Sequence, residues 1–196
     1  MNPKILVVTG PSGFDKSSII KLALKSDKRL VKSVSYTDRP QRPDEIDGED
    51  FYFISADKFT RMIEEEKFIE WQKLVSNNYR YGKAKKEFQQ LLEAHPDKII
   101  VTVVNIVNVP VFARYYPYAK SIFIDVRDTE FLIKQLKNSP EITNEKMFQF
   151  RLKFATEERR RRHLANFYMR MQEDIEASVK EFLDIINKVF DGSFHT

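Results

Sequence analysis

Near its start the chain reads Gly10-Pro11-Ser12-Gly13-Phe14-Asp15-Lys16-Ser17. This stretch follows an apolar run, Ile5-Leu6-Val7-Val8, and leads into a helix-like run, Ser17-Ser18-Ile19-Ile20-Lys21-Leu22. A strand, a glycine-containing loop ending in Lys-Ser and a helix together form the pattern of a phosphate-binding loop. The stretch therefore predicts such a loop between a first β-strand and a first α-helix.

The chemistry of this loop is specific. Successive backbone N–H groups at a helix N-terminus form a concavity in which the helix dipole favours phosphate oxygens. Lys16 would reach the β- and γ-phosphates of ATP as a catalytic residue, and the Ser17 hydroxyl would bind Mg²⁺. The candidate nucleotide-binding residues are Gly10, Ser12, Gly13, Lys16, Ser17 and Ser18. The predicted cofactors are ATP and Mg²⁺.

Asp15 stands where the pattern has glycine before the lysine. Glycine lets the backbone approach phosphate with no side chain between them, whereas Asp15 adds a Cβ and a negative charge. The resulting repulsion would cost roughly 1–4 kcal/mol in a partly shielded site. The carboxylate can turn to solvent, lie near the metal, or pair with Lys16 and so sequester it. The alternative is a loop that keeps its shape but has lost its nucleotide.

The composition limits the class of protein. A length of 196 residues fits one domain, and 42% hydrophobic residues suffice for a core. The absence of cysteine excludes disulfides, a thiol nucleophile and a cysteine metal site, and the three histidines are scattered. Because no apolar run approaches the length of a membrane span and Met1 leads straight into the first strand, we expect no membrane contact and a cytoplasmic location.

The charge favours anionic ligands. The net charge is +4 and the pI about 9.1, which suits nucleotides but makes nucleic acid an unlikely partner. The one dense basic cluster is Arg159-Arg160-Arg161-Arg162, and four consecutive helical residues point in all directions around the axis. A solvated helix with Glu–Arg pairs, a phosphate-facing role for one or two arginines, and nucleic-acid or partner binding all remain open.

Strand and helix patterns alternate at both ends of the chain, and the middle, residues 33–82, is rich in strands and turns. The predicted strands are Lys4–Thr9, Leu30–Ser35, Phe51–Ile54, Ile69–Val75, Lys98–Val104 and Ser121–Val126. The predicted helices are roughly Ser17–Ser26, Ala56–Glu66, Lys83–Ala94, Val109–Arg114, Thr129–Lys137, Thr143–Ala165 and Ile175–Phe190. The fold class is therefore α/β, with a parallel sheet flanked by helices and a mixed β insertion.

A second constellation follows the phosphate loop. Arg39 and Arg42, three residues apart after a strand, make a fork for a phosphate, and Tyr81 can donate to the same group. A hydroxyl at Ser35 and a carboxylate at Glu70 can read the edge of a base. A carboxylate suits guanine, which offers two donors there, and Glu70 lies in an apolar strand where a carboxylate needs a partner.

Taken in order behind the loop, these motifs resemble the guanylate kinase family over nearly the whole chain, best in residues 5–82. The resemblance implies transfer of the γ-phosphoryl group of ATP to GMP with Mg²⁺. It implies GMP-site roles for Ser35, Arg39, Arg42, Glu70 and Tyr81, and a phosphate-directed role for Arg151 in the lid helix. It also implies a core of about residues 1–32, 84–126 and 166–196, a monophosphate-binding insertion at 33–83 and a helical lid at 127–165.

Several departures from the family fall on the chemistry. Phe51 stands where the family has a phosphate-contacting tyrosine, and the adjacent Tyr52 is expected to face the other side of its strand. Val103 and Asn105 replace two aspartates, although Asn105 can still contact a substrate. The lid reads Gln135-Leu136-Lys137-Asn138-Ser139-Pro140, without the family's paired arginines. Lys83 replaces a small hydroxyl residue, and we expect it to be solvated at a helix N-terminus.

These departures leave two hypotheses. One is a guanylate kinase with slow or altered turnover, because a catalytic arginine can contribute ~10³–10⁵ in rate. The other is a catalytically impaired binding module that uses the GMP cleft for a nucleotide or a protein partner. Relatives of the family in scaffold proteins resemble this second outcome.

Overall fold

The computed structural model describes residues 2–13, 16–74, 78–139 and 142–192. The strands are β1 Lys4–Thr9, β2 Leu30–Lys32, β3 Ser35–Thr37, β4 Phe51–Phe53, β5 Phe68–Lys73, β6 Arg80–Ala84, β7 Ile99–Val103, β8 Lys120–Asp125 and β9 Phe167–Arg170. The α-helices are α1 Lys16–Ser26, α2 Ala56–Glu64, α3 Lys85–Ala94, α4 Val109–Tyr115, α5 Thr129–Lys137, α6 Glu145–Arg160 and α7 Ile175–Phe190. Two short 3-10 helices span Ile106–Asn108 and Arg162–Leu164.

Five strands form a parallel sheet in the order β2-β7-β1-β8-β9. The central strand β1 is apolar along its length because helices cover both faces, as parallel sheets require. Leu6 and Val8 pack on the side of α1, α5, α6 and α7, while Ile5 and Val7 pack on the side of α3 and α4. The phosphate loop leaves β1 at the carboxyl edge, where such sheets place their ligands.

A smaller mixed sheet has the order β4-β3-β6-β5. Strand β3 pairs parallel with β4 and antiparallel with β6, which pairs antiparallel with β5. One face packs on α2, where the rings of Phe59 and Phe68 stack 4.6 Å apart. The rings of Tyr36 and Tyr52 lie 4.7 Å apart on that same face, which confirms that Tyr52 points away from Phe51's side of β4.

The α/β class with a parallel sheet is confirmed, and several element boundaries are corrected. The predicted strand 30–35 is two strands in different sheets, β2 and β3. The predicted helix 83–94 starts only at Lys85, because Lys83 and Ala84 belong to β6. The predicted helix 143–165 ends at Arg160, and β6 and β9 were not predicted as strands. The division into core, insertion and lid stays a prediction.

Candidate active site

The phosphate loop is shaped by two close approaches to its neighbours. A Cβ on Gly10 would lie 2.2 Å from the carbonyl oxygen of Ile124 in β8, so only glycine fits there. Gly13 has φ +83°, and a Cβ on it would lie 2.2 Å from Cδ2 of Leu136 in α5. The Lys16 ammonium donates to the carbonyl oxygen of Pro11 at 2.7 Å, across the loop. Phe14 and Asp15 lie outside the described residues, so the prediction about Asp15 is not tested.

A buried carboxylate on helix α6 accepts hydrogen bonds from the first part of this loop. Glu158, 2% exposed, accepts from the backbone N–H of Ser12 at 2.6 Å and from the Ser12 hydroxyl at 2.9 Å. The side-chain amide of Asn105 donates to the same carboxylate. The Asn105 carbonyl oxygen accepts from the Val107 N–H and so caps the 3-10 helix that follows β7. Glu158 therefore holds Ser12 and Asn105 together.

The smaller sheet brings the residues that are predicted to bind GMP, the acceptor of the phosphoryl group, to one of its faces. Across each strand pair, residues in register point to the same side. Ser35 faces Phe51, while Glu70 faces Lys83 directly across β5 and β6. Tyr81 lies two residues before Lys83 on β6 and its ring contacts Phe51, with centroids 5.7 Å apart. The register thus brings the predicted residues Ser35, Glu70 and Tyr81 to one face.

Arg39 and Glu45 form the charged end of this face. The Arg39 guanidinium, 8% exposed, donates to the Pro40 carbonyl at 2.7 Å and to Glu45 at 2.6 Å. The other Glu45 oxygen accepts from the Arg42 N–H at 2.9 Å. Burial lowers the pKa of Arg39, but Glu45 and Tyr81 hold that pKa above its ordinary value. Burial raises the pKa of Glu45, yet Arg39 and Arg42 hold it below its usual range.

The aromatic side chains support the same arginine. The Arg39 guanidinium lies 5.7 Å from the Phe51 ring and 5.6 Å from the Phe53 ring. An arginine held over aromatic faces and by a carboxylate has its planar guanidinium pre-organised to donate to the oxygens of an anion such as phosphate. Phe51 therefore contributes to positioning Arg39, although it has no hydroxyl to offer a phosphate.

The other end of the face holds a buried charged pair. Glu70, 9% exposed, accepts from the side-chain amide of Asn108 at 2.6 Å. Lys83, 1% exposed, donates to the hydroxyl of Ser33 at 2.9 Å and to its carbonyl oxygen at 3.3 Å. Burial raises the pKa of Glu70 and lowers that of Lys83, while Asn108 and the mutual attraction of the two groups oppose these shifts. The expectation of a solvated Lys83 was wrong, since β6 extends through it.

Helix α6 and the residues after it place their arginines in structural contacts. Arg151 is 7% exposed on the inner side of α6. Arg159 donates to the fully buried carboxylate of Asp125, at the end of β8, at 2.7 Å. Arg160 pairs with Glu157 on the surface, and Arg162 lies over the Tyr168 ring at 5.4 Å. Within 159–162, these contacts favour a mostly structural helix end over a free basic face.

Sequence reasoning missed four residues that now hold the site: Glu45, Asn108, Asp125 and Glu158. Glu45 was detectable, because it lies three residues after Arg42 in a turn rich in proline. The partners of Glu158, Ser12 and Asn105, lie 146 and 53 residues away in sequence, so no local pattern predicts these contacts. Of the predicted residues, Ser17 is exposed at the first turn of α1. The site roles assigned by sequence stay predictions.

A parallel sheet with a phosphate loop, joined to a small sheet whose face carries an arginine and a carboxylate, is the architecture of nucleoside monophosphate kinases. The family model described as guanylate kinase matches residues 2–189. Guanylate kinase from Helicobacter hepaticus is 33% identical over 173 residues, covering 87% of this chain and 83% of that protein. Guanylate kinase from Rubrobacter xylanophilus is 30% identical and covers 96% of each chain.

A solved structure agrees with these sequence matches. The crystal structure of guanylate kinase from Anaplasma phagocytophilum has a TM-score of 0.72, with 24% identity, covering 95% of this chain and 85% of that one. This likeness shows the fold. The protein belongs to the guanylate kinase family.

No described helix combines the length and apolarity needed to cross a membrane. Outside the undescribed positions, the chain also has no cluster of three or more histidine, aspartate or glutamate side chains placed to hold a metal ion. In proteins Mg²⁺ is often held mainly by nucleotide phosphates and water, and Ser17 is the residue predicted to bind it here. The exposed Ser17 hydroxyl at the start of α1 fits that role.

Proposed function

We propose that this protein transfers the γ-phosphoryl group of ATP to GMP, giving ADP and GDP. An oxygen of the GMP phosphate attacks the γ-phosphorus as the bond to the β-phosphate oxygen breaks. The observation that carries the proposal is the common face of the small sheet, where Arg39 lies at one end and Glu70 at the other. That arrangement suits a ligand with a phosphate at one end and a base at the other.

In the acceptor site, Arg39, Arg42 and Tyr81 would bind the phosphate of GMP. The role of Arg39 in phosphate binding is supported by its position, because Glu45 and two aromatic rings already fix its guanidinium. Little side-chain freedom would therefore be lost when phosphate binds. Ser35 and Glu70 would contact guanine. Asn105 would contact the substrate only by giving up or sharing its hydrogen bond to Glu158.

In the donor site, Gly10, Ser12, Gly13, Lys16, Ser17 and Ser18 would surround the phosphates of ATP. Lys16 and Arg151 would stabilise the charge on the transferring group, which is the main task of such enzymes. Mg²⁺, when bound, would neutralise the β- and γ-phosphate oxygens. We place the reaction in the cytoplasm, where both nucleotides occur, and propose no nucleic-acid partner.

We expect turnover to be slow, because the lid lacks two arginines of the family and neutral side chains replace two aspartates. Each lost catalytic cation can cost ~10³–10⁵ in rate. An exposed apolar side chain, Val103, lies at the carboxyl end of β7 with 39% exposure, and Val107 nearby has 38%. These exposed valines favour a second candidate function, in which the cleft binds a protein partner and catalysis is impaired.

The experiment is ADP production from ATP and Mg²⁺ with a panel of nucleoside monophosphates. Wild type is compared with the double variant Asp15→Gly/Asn105→Asp, which restores two family residues. Turnover by wild type with GMP supports the proposal. A silent wild type beside an active double variant means that the two positions switched off a site that still binds. Silence from both rejects the kinase and shifts weight to the protein-binding alternative.

A further inference from the structure

Asn108 lies where the parallel sheet meets the smaller sheet. It ends the 3-10 helix Ile106–Asn108, which follows β7, and it directly precedes α4. Its side-chain amide donates at 2.6 Å to a carboxylate oxygen of Glu70, on the face of the smaller sheet predicted to bind GMP, here called the acceptor face. The contact therefore joins a residue at the carboxyl edge of the parallel sheet to a side chain predicted to read the base.

The backbone of Asn108 is fixed on both sides. Its N–H donates to the carbonyl oxygen of Asn105 at 2.9 Å, which closes the 3-10 turn. The side chain of Asn105 in turn donates to the buried carboxylate of Glu158. On the other side, α4 has a proline, Pro110, in its first turn, where the fixed backbone angle of proline suits a helix start. The side chain of Asn108 thus projects from a rigid turn.

The side chain of Asn108 is not used for the purpose that its position suggests. Asn108 is the N-cap residue of α4, and asparagine at such a position commonly accepts from a backbone N–H of the first helical turn. Within the described first turn of α4, Asn108 makes no side-chain cap hydrogen bond. Its amide donates to Glu70 instead, so the side chain serves the carboxylate and not the helix.

The bond to Asn108 leaves Glu70 able to accept from a base. A carboxylate has about four acceptor positions on its two oxygens, and the amide of Asn108 occupies one of them. Burial raises the pKa of Glu70, whereas the bond from Asn108 and the charge of Lys83 on β6 lower it. The cavity that Glu70 and Asn108 line also carries three other titratable side chains, those of Glu66, Lys85 and Tyr115. Asn108 is therefore a neutral donor that favours the ionised carboxylate.

We propose that Asn108 is a positioning residue for base recognition, which orients the carboxylate of Glu70 towards the N1–H and 2-amino groups of guanine. It acts through Glu70 and not by touching the nucleotide. The ionised carboxylate can accept both hydrogen bonds of guanine, while a protonated one has lost part of that capacity. This inference rests on the proposed function for the identity of the acceptor and concerns only how its base is read.

The test measures equilibrium dissociation constants for GMP and IMP by titration calorimetry between about pH 5.5 and about pH 8.5. IMP carries the same ribose phosphate but lacks the 2-amino group, so the ratio of the two constants cancels the titration of the ligand's phosphate. We expect wild type to prefer GMP about tenfold when Glu70 is ionised, the effect of one hydrogen bond to a charged acceptor. The preference should fade as the pH falls, and Glu70→Gln should abolish this dependence. Equal binding of GMP and IMP by wild type at every pH would overturn the inference.

Two variants locate the effect at Asn108. Asn108→Ala removes the amide, so the midpoint of the GMP preference should move to higher pH by about one unit. Asn108→Asp keeps the shape but places a second carboxylate beside Glu70, so the midpoint should move further in the same direction. Asn187→Ala, on α7, removes an asparagine that accepts from Arg29, and this matched control should leave the midpoint unchanged. An unchanged midpoint in both Asn108 variants, or a stronger GMP preference in Asn108→Ala at every pH, would overturn the proposal.

The binding experiment separates this inference from the proposed reaction. A ratio of two dissociation constants does not depend on the amount of folded protein, and the wild-type preference decides if neither Asn108 variant folds. A midpoint that moves with Asn108 in a protein that forms no ADP supports the inference and rejects the reaction. Phosphorylation of GMP with a midpoint that does not depend on Asn108 supports the reaction and overturns the inference. Binding of neither nucleotide by wild type overturns both.

Discussion

At the residue scale, Arg39 illustrates how a side chain that we propose to bind phosphate is fixed in advance. Its two terminal nitrogens donate to different oxygens, those of Pro40 and Glu45, which holds the guanidinium plane in place. A lysine would carry the same charge but could not make both contacts from one fixed fork. The difference between the two residues is therefore geometric.

Arg39→Lys should raise the KM for GMP about tenfold or more, because a charge-assisted fork is lost while the charge remains. The change should leave the KM for ATP nearly unaltered. Steady-state kinetics with each nucleotide varied in turn measures both values. Arg61→Lys, on the exposed side of α2, is the matched control and should change neither. Equal rises in the two KM values would contradict a role confined to the acceptor.

The Glu70–Lys83 pair gives stability a distinctive pH dependence. The pKa of Lys83 is lower in the folded protein than its ordinary value of 10.5, so between these two values the unfolded chain binds more protons. Stability from this residue therefore rises with pH through that window. At pH values below that window, Glu70 makes stability fall as the pH rises. Its raised pKa makes the folded state retain a proton that the unfolded chain releases.

Lys83→Met removes the part of the protein's stability that rises with pH. The free energy of unfolding of wild type, minus that of the variant, should increase between about pH 7 and about pH 9. Urea denaturation of both proteins at the two pH values gives this difference. A difference that is constant or falls with pH would show that Lys83 does not have a lowered pKa.

At the element scale, Glu158 joins helix α6 to the phosphate loop by accepting hydrogen bonds from Ser12. Removing that carboxylate in Glu158→Ala leaves the partly buried Ser12 N–H and Asn105 amide without their acceptor, at a cost of about 1–3 kcal/mol. The KM for ATP should rise as well, because Ser12 in the phosphate loop is no longer held by Glu158. Urea unfolding and steady-state kinetics measure the two effects.

The neighbouring carboxylate provides the control for this prediction. Glu157 pairs with Arg160 near the surface, with 42% of its side chain exposed. Glu157→Ala should therefore change stability by no more than about 0.5 kcal/mol. If the two alanine variants lose similar stability, the hydrogen bonds of Glu158 to Ser12 and Asn105 do not stabilise the protein as we expect.

The predictability of the elements follows from how local their causes are. Strand β1 and helices α5 and α7 were predicted with their observed bounds, since an apolar run or a helical period defines each within its own sequence. The break between β2 and β3 was not predicted, because the chain changes sheets there without a local breaker. Strand β6, Arg80–Ala84, contains two cations and a glycine, so only its pairing with β3 and β5 identifies it.

The candidate site divides in the same way. Motif order predicted Ser35, Glu70 and Tyr81, and the register brings them to one face. The burial of Lys83 and the contact of Glu158 with Ser12 depend on packing between distant segments, which no motif encodes. The contacts that could not be predicted are therefore those between strands and helices that are distant in sequence.

At the scale of the whole molecule, the residues that we propose to bind the two nucleotides lie on two different sheets. The phosphate loop lies at the edge of the parallel sheet, and the acceptor face lies on the smaller sheet. Phosphoryl transfer requires both ligands in line, so catalysis depends mainly on positioning and on neutralising charge. The net charge of +4 favours the approach of both anions.

The most direct test of the central claim is the formation of GDP from GMP and ATP with Mg²⁺, resolved from ADP by ion-exchange chromatography. Wild type should form ADP and GDP in equal amounts, and Lys16→Met should form neither while keeping its fold by circular dichroism. ADP without GDP would indicate simple ATP hydrolysis, and the absence of both from wild type would contradict a guanylate kinase reaction.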